Sequence, residues 1–306
     1  MWGSPPFCVY DWSNWNRFLI NSVWPKARRI CANFNENPHE VAGRLPRKTK
    51  FLLIHLNLSV MSAFISGASE FVDVLRQRNV IVFNCLPLDI RKRTIQSLCR
   101  DFGLPCVAAP RSGQDEELLI VKTDLNSGGR REQLLPAMQK AQLNLAAEPG
   151  RIKGPSDYFV SRRADLAGDV WNDPALVVER YVKNPLGRFF RIYVALDAVV
   201  ISEAYTETPI KRMEGPIRRY NYFLWRQEER IYDDSNVALK LPRRLLEIAG
   251  VFLNRFRLDY GAIDVVESEA GEFYVVDLNK TPFWGKEKQP GLVEHLRLGF
   301  SKAMQD

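Results

Sequence analysis

The stretch "FYVVDLNKTPFWG", Phe273–Gly285, opens as an apolar β-strand and ends on Asp277 and Asn279. Side chains two apart on a strand point the same way, so the acid and the amide share a face. Upstream, "GAIDVV" carries Asp264, and "ESEAGE" between the two runs predicts a hairpin over residues 259–279. A turn that pairs Glu269 with Glu272 sets Asp264 directly opposite Asp277. A four-residue loop keeps both acids on one face, whereas an odd loop without a bulge separates them. Like charges opposed on a sheet repel. A divalent cation between them removes the penalty, and two carboxylates with an amide oxygen are the hard donors Mg²⁺ takes alongside phosphates. Taken alone, the same pattern also fits two solvated acids at strand ends.

The composition narrows the field around this hairpin. The chain has 306 residues, 46% apolar and 26% charged, ordinary for a globular protein with a substantial core. It contains no apolar run long enough for a membrane span. "MWGSPPFCVYDWSNWNRF" shows no basic segment followed by an apolar one, so no signal peptide and a cytoplasmic location are expected. The five cysteines are scattered without a CxxC and there are three histidines, which argues against a zinc site or a Cys–His nucleophile. The net charge of +7 suits a pocket for phosphates or carboxylates. Its basic and aromatic residues form no recognisable nucleic-acid module, so neither a nucleic acid nor a membrane is expected as a partner.

Residues 1–50 show no regular period and read as an N-terminal extension packed on the first domain. An α/β rhythm begins at "FLLIHL" (51–56), a strand-length apolar run, followed by a helix at 68–78 and a second buried strand, "VIVFN" (80–84). A helix over 88–103 carries Ile90, Thr94, Leu98 and Phe102 at i, i+4 steps, with Gly103 as its stop. Two buried strands joined through helices predict a parallel arrangement. "ELLIVKTDLNSGG" (117–129) reads as a strand ending in Lys122 and a glycine loop. A helical stretch broken by Pro136, a helix around Arg162–Trp171, and the strand "ALVVERYV" (175–182) follow. "GRFFRIYVALDAVVISEAYTE" (187–207) reads as two strands joined at "LDA", and helices are expected at 242–256 and 291–304.

The order of these pieces resembles the ATP-grasp superfamily, the fold of D-alanine–D-alanine ligase, glutathione synthetase and the ribosomal-protein S6 glutamate ligases. The resemblance runs from about residue 50 to 285 and is most specific in the thirteen-residue gap from Asp264 to Asp277, with Asn279 two further on. It implies a mixed α/β (α+β) fold: the extension at 1–50, an α/β pre-grasp domain at 51–108, and two subdomains, 109–178 and 179–306, clamping ATP. It assigns Lys92 and Lys122 to the nucleotide phosphates, with Gly128 and Gly129 letting backbone N–H groups approach them. Glu179 with the backbone of Arg180, Tyr181 and Val182 matches the adenine hinge. Asp264, Asp277 and Asn279 match the Mg²⁺ ligands. Arg191, in "GRFFRIYV", matches the arginine of the S6-ligase-like branch, although Phe189 stands where that motif carries Asp.

The implied cofactors are ATP and Mg²⁺, and the implied activity is carboxylate–amine ligation through an acyl phosphate. The substrates would be a small-molecule carboxylate and an amine, or a peptide, and a homodimer is the expected assembly. Lys211–Asn221 is a candidate basic lid over the substrate, with Lys211 and Arg219 joining Arg191 as candidate catalytic groups; a solvated charged loop fits the same segment. Lys280 and Trp284 fall where a second substrate should enter. Ala262 stands where D-alanine ligases carry an arginine, Asp277 replaces the commoner Glu, and "NKTPFWG" replaces the familiar "N-x-x-P-G". These departures keep alive an ATP-grasp phosphotransferase acting on a hydroxyl, or a nucleotide-binding module without chemistry.

Overall fold

The computed structural model describes residues 7–12, 18–62, 64–65, 67–86, 89–145, 150, 152–208, 210, 219–226, 243–283 and 290–303. They form three sheets. The first is parallel, β2-β1-β3-β4, made of β1 (Phe7–Asp11), β2 (Arg28–Cys31), β3 (Phe51–His55) and β4 (Ile81–Phe83). Helices α1 (Ile20–Val23), α2 (Pro38–Arg44) and α3 (Ala68–Gln77) connect its strands. All five residues of β3 are buried: Leu52 and Ile54 pack into one core with Tyr10 and Phe71, and Phe51 and Leu53 into another with Phe7 and Val9. A strand covered on both faces has no alternation to show, which is why it reads as a continuous apolar run.

The described strands within residues 1–50 belong to the first sheet itself. β1 lies between β2 and β3, so this segment supplies half of the first sheet. "FCVYD" is too short a buried strand to reveal itself by period.

The second sheet is antiparallel, β6-β5-β7: β5 (Leu118–Thr123), β6 (Phe159–Arg162) and β7 (Leu176–Arg180). The helical stretches expected on either side of β6 are shorter than predicted: α5 (Ala137–Gln142) starts only after Pro136, and α6 covers Gly168–Asn172. Pro136 cannot continue a helix from the turn before it.

The third sheet is antiparallel, β10-β9-β8-β11-β12, with β8 (Arg188–Ala195), β9 (Ala198–Tyr205), β10 (Arg219–Arg226), β11 (Tyr260–Glu267) and β12 (Phe273–Asn279). One face carries Phe190, Ile192, Ile201 and Ile263 and is covered by α4 (Lys92–Asp101) and α7 (Arg243–Asn254). The other face meets α8 (Pro290–Ala303) and the first sheet in one shared core that joins Tyr260, Phe300 and Leu53. The expected division at residue 108 thus cuts α4 away from its own core. The buried stripe of α4 also differs from the expected one: it runs through Lys92, Ile95, Gln96 and Cys99. Gln96 tolerates this because its amide is used on both sides, Nε2 donating to Val275 O (2.8 Å) and Oε1 accepting from Val107 N–H (3.0 Å). A polar residue bonded at both ends of its amide can lie on an inner face, and periodicity of apolar residues does not find it.

No helix among the described residues is long and apolar enough to cross a membrane.

Candidate functional site

The β11–β12 connection is odd: Ser268 N–H bonds Glu272 O across Glu269, Ala270 and Gly271, and Gly271 takes a left-handed φ of 77°. Glu269 therefore does not face Glu272. An odd connection alone would put the acids on opposite faces. A bulge corrects it, because Val265 pairs with Val275 while Asp264 pairs with Asp277, leaving Val276 as the extra residue on β12. The expected opposition of Asp264 and Asp277 is therefore present, reached by a different turn.

On the other side of β11, Asp264 pairs with Arg191 of β8. Arg191, Asp264 and Asp277 form one row across three strands. Arg191 holds Asp264 in a fork, Nε to Oδ1 at 2.5 Å and Nη2 to Oδ2 at 2.6 Å. Burial opposes the Arg191 charge, but the Asp264 carboxylate outweighs it and the guanidinium is held above its ordinary range. Asn279, two residues past Asp277, turns its Oδ1 to Thr281 N–H (2.8 Å).

Two lysines face this row. Lys92 is the first residue of α4, whose start is fixed by Asp124: Lys92 N–H donates to Asp124 O and Arg93 N–H to Asp124 Oδ1, both at 2.9 Å. The second bond satisfies one of the helix's open donors. Lys92 Nζ donates to Leu125 O (2.9 Å) and lies 3.8 Å from Asp277 Oδ1. Burial pulls the Lys92 ammonium down, but Asp277, Tyr158, Glu179 and Asp124 together hold it above the usual lysine range, so it stays charged. Lys122 leaves β5 on the same side, with Nζ 3.3 Å from Val276 O and paired with Glu179 of β7. Ile120 opposes Glu179 and Lys122 opposes Val177, so Lys122 and Glu179 are diagonal neighbours on one face.

These groups line a cavity of about 540 Å³. Lys92, Lys122, Glu179, Arg191, Asp264, Asp277 and Asn279 all belong to its wall, as do Arg180, Tyr181 and Val182. In the segment expected to be the adenine hinge, Arg180 N–H is bonded to Val107 O (2.7 Å) and Tyr181 N–H to Leu118 O (2.9 Å). The Val182 N–H has no partner among the described residues. Glu179, only 2% exposed, is spent on Lys122.

Other expected positions sit differently. Gly128 and Gly129 have φ of 73° and 71°, but a Cβ on Gly128 would lie 2.4 Å from Gly154 Cα. Close approach of two chain segments requires that glycine, and Asn126, Ser127, Arg130 and Arg131 are the loop residues in the cavity wall. Lys280 is turned into the protein, 1% exposed, with Nζ donating to Asn84 O (2.7 Å). Lys211 and Trp284 lie outside the described residues, as does the side chain of Arg219, whose backbone opens β10.

Sequence reading missed Ser59, Asn126 and Glu132. Ser59 N–H donates to Glu132 Oε1 (2.6 Å), and Ser59 Oγ accepts from Asn126 N–H (2.8 Å). Neither a Ser after a strand nor an Asn before two glycines carries a signal of its own.

Among the described residues no cluster of three His, Cys, Asp or Glu side chains is present. The donor set here is two opposed carboxylates and a nearby amide oxygen, beside two lysines. That set is too small to enclose a metal but fits Mg²⁺, which keeps waters and takes its remaining ligands from phosphate.

No family model matches this chain, and no curated protein matches it in sequence. Solved structures do. The ATP-grasp ligase PsnB, complexed with precursor peptide PsnA2 and AMPPNP, is 13% identical with a TM-score of 0.54, over 97% of this chain and 99% of that one. The macrocyclase MdnC from Microcystis aeruginosa MRC, bound with precursor peptide MdnA, is 10% identical with a TM-score of 0.52, again over 97% and 99%. The likeness extends over nearly the whole chain, and the fold is the ATP-grasp fold.

Proposed function

We propose that this chain is an ATP-dependent carboxylate–amine ligase that makes an amide or peptide bond through an acyl phosphate. The observation that carries the reading is the in-register row Arg191–Asp264–Asp277 facing Lys92 and Lys122 across one cavity.

In this reading Lys92 and Lys122 hold the phosphates of ATP, and the Val182 N–H with the adjoining β7 segment receives the adenine. Asp264, Asp277 and Asn279 would hold Mg²⁺, which when bound would supply neutralising charge to the phosphates. A substrate carboxylate oxygen attacks the γ-phosphorus and the bond to ADP breaks. The amine nitrogen then attacks the acyl carbon, inorganic phosphate leaves, and the nitrogen loses a proton. The protein's part is placement and fixed positive charge around the transferring group. Arg191 supplies part of that charge. It lies on the strand beside Asp264, while Ala262 leaves the position two before Asp264 without one.

PsnB and MdnC are each described with a precursor peptide, so peptides belong among the substrates to test. The experiment is ADP release from ATP and Mg²⁺ over pooled carboxylic acids, amines and short peptides, read by mass. A ligase yields products lighter by one water than the sum of two pool members. Products heavier by a phosphoryl group would overturn the reading in favour of a phosphotransferase, and ATP binding with no ADP release in any pool would leave only a binding module.

A further inference from the structure

β12 is an edge strand, so its outward carbonyls have no neighbouring strand to bond. Side chains from other elements take them instead. Gln96 of α4 donates to Val275 O, Lys122 of β5 to Val276 O, and Asn126 to Leu278 O through Nδ2 at 2.6 Å. Leu278 separates Asp277 from Asn279, so Asn126 grips the backbone between two of the proposed cation ligands.

The grip is itself braced. Asn126 N–H donates to Ser59 Oγ (2.8 Å). Ser59, fully buried in the segment after β3, also donates its N–H to Glu132 Oε1 (2.6 Å) and accepts from Ile90 N–H (2.8 Å) through its carbonyl. One serine of the first sheet's exit thus ties the loop after β5 at two points and the segment two residues ahead of Lys92. The Asn126 amide is oriented by its donation, because Leu278 O can only accept; its own Oδ1 is buried with no hydrogen-bond partner among the described residues.

We infer that Asn126 is a positioning residue for the cation site: by holding Leu278 O it sets the spacing of Asp277 and Asn279 and their distance from Lys92. The inference rests on the Mg·ATP reading above. Groups that orient metal ligands typically change metal affinity 10–100-fold when removed. Replacing the side chain leaves the bond from Asn126 N–H to Ser59 in place, so Asn126→Ala removes the grip without the brace. Asn126→Leu does the same while filling the volume.

The test is calorimetric binding of the non-hydrolysable nucleotide AMPPNP, with Mg²⁺ and with EDTA, to the wild type, both Asn126 variants and Asp277→Ala. In both Asn126 variants the ratio of the affinity with Mg²⁺ to the affinity in EDTA is expected to fall roughly 10–100-fold below that of the wild type. A full Mg²⁺-dependent gain in both variants, or an equal loss with and without Mg²⁺, overturns the inference while leaving the cation site standing if Asp277→Ala abolishes the gain. An Asp277→Ala protein that keeps the wild-type gain, or a wild type that shows none, removes the cation site and the inference with it.

Discussion

Replacing Lys280 by methionine should flatten the dependence of stability on pH. Lys280 is 1% exposed and donates to Asn84 O, with Asp259 and the Cys85 thiol nearby. Burial pulls its ammonium down from 10.5 to about 7, against smaller opposing effects of Cys85 and Asp259. Between those values the unfolded chain binds a proton that the folded chain has released. Stability therefore rises with pH through this window, by up to about 1.4 kcal/mol per pH unit. From about pH 7 to about pH 9 the wild type should gain roughly 2–3 kcal/mol from this group, several degrees in Tm for a chain of this size. In Lys280→Met that gain is absent, so the Tm difference, mutant minus wild type, is most positive near neutral pH and falls as pH rises. The methionine also leaves Asn84 O without its donor, which lowers the mutant at every pH but does not change the slope. Scanning calorimetry of both proteins across this range reads it directly. Parallel curves would refute the assignment of a neutral, buried Lys280 above pH 7.

Substitutions at the Lys122–Glu179 pair and at Asn84 probe how the fold around the site is held. Lys122→Ala should destabilise the fold by about 3–5 kcal/mol, because it leaves the buried Glu179 carboxylate unpaired, and Lys122→Ala with Glu179→Gln should recover most of that loss in urea melts. A single variant as stable as the wild type would show that the two do not form a buried pair. Asn84, at a left-handed φ of 59°, bonds Tyr260 through both ends of its amide (Nδ2 to Tyr260 O at 2.6 Å, Tyr260 N–H to Oδ1 at 2.9 Å) and joins β4 to the third sheet. Asn84→Ala loses both bonds and strains the backbone, an expected cost of about 2–4 kcal/mol, while Asn84→Gly should cost less by relieving the strain. Equal melting points for the two variants would contradict that division.

The elements legible in the sequence are those whose chemistry is repeated along the chain. The opposition of Asp264 and Asp277 could be read because a hairpin converts spacing into opposition, and Lys122 because it ends an apolar strand ahead of a glycine loop, whereas Lys92 came only from the resemblance. The bulge at Val276 was not legible, since nothing in "YVVDL" distinguishes a paired valine from an extra one. Phe7–Asp11 was missed because a short strand buried on both faces has no period. The inner face of α4 was misread because Lys92 and Gln96 are buried through bonds to groups far away in the chain. Glu179 read as a hinge acid, but its partner Lys122 comes from another strand, and such pairing exists only after the sheet forms. Asn126 reaches the backbone of Leu278, and Ser59 the backbone of Asn126 and Ile90 and the side chain of Glu132, all in distant segments, which no local pattern records.

The central claim is that a substrate carboxylate takes the γ-phosphoryl group of ATP at the row formed by Arg191, Asp264 and Asp277. Hydroxylamine intercepts acyl phosphates as hydroxamates, so the most direct measurement is hydroxamate and ADP formation from ATP, Mg²⁺, hydroxylamine and pooled carboxylic acids. The wild type is predicted to give hydroxamate and ADP in equal amounts, and Asp277→Ala neither. ADP accompanied by a phosphorylated hydroxyl and no hydroxamate, or equal hydroxamate from Asp277→Ala, would contradict it.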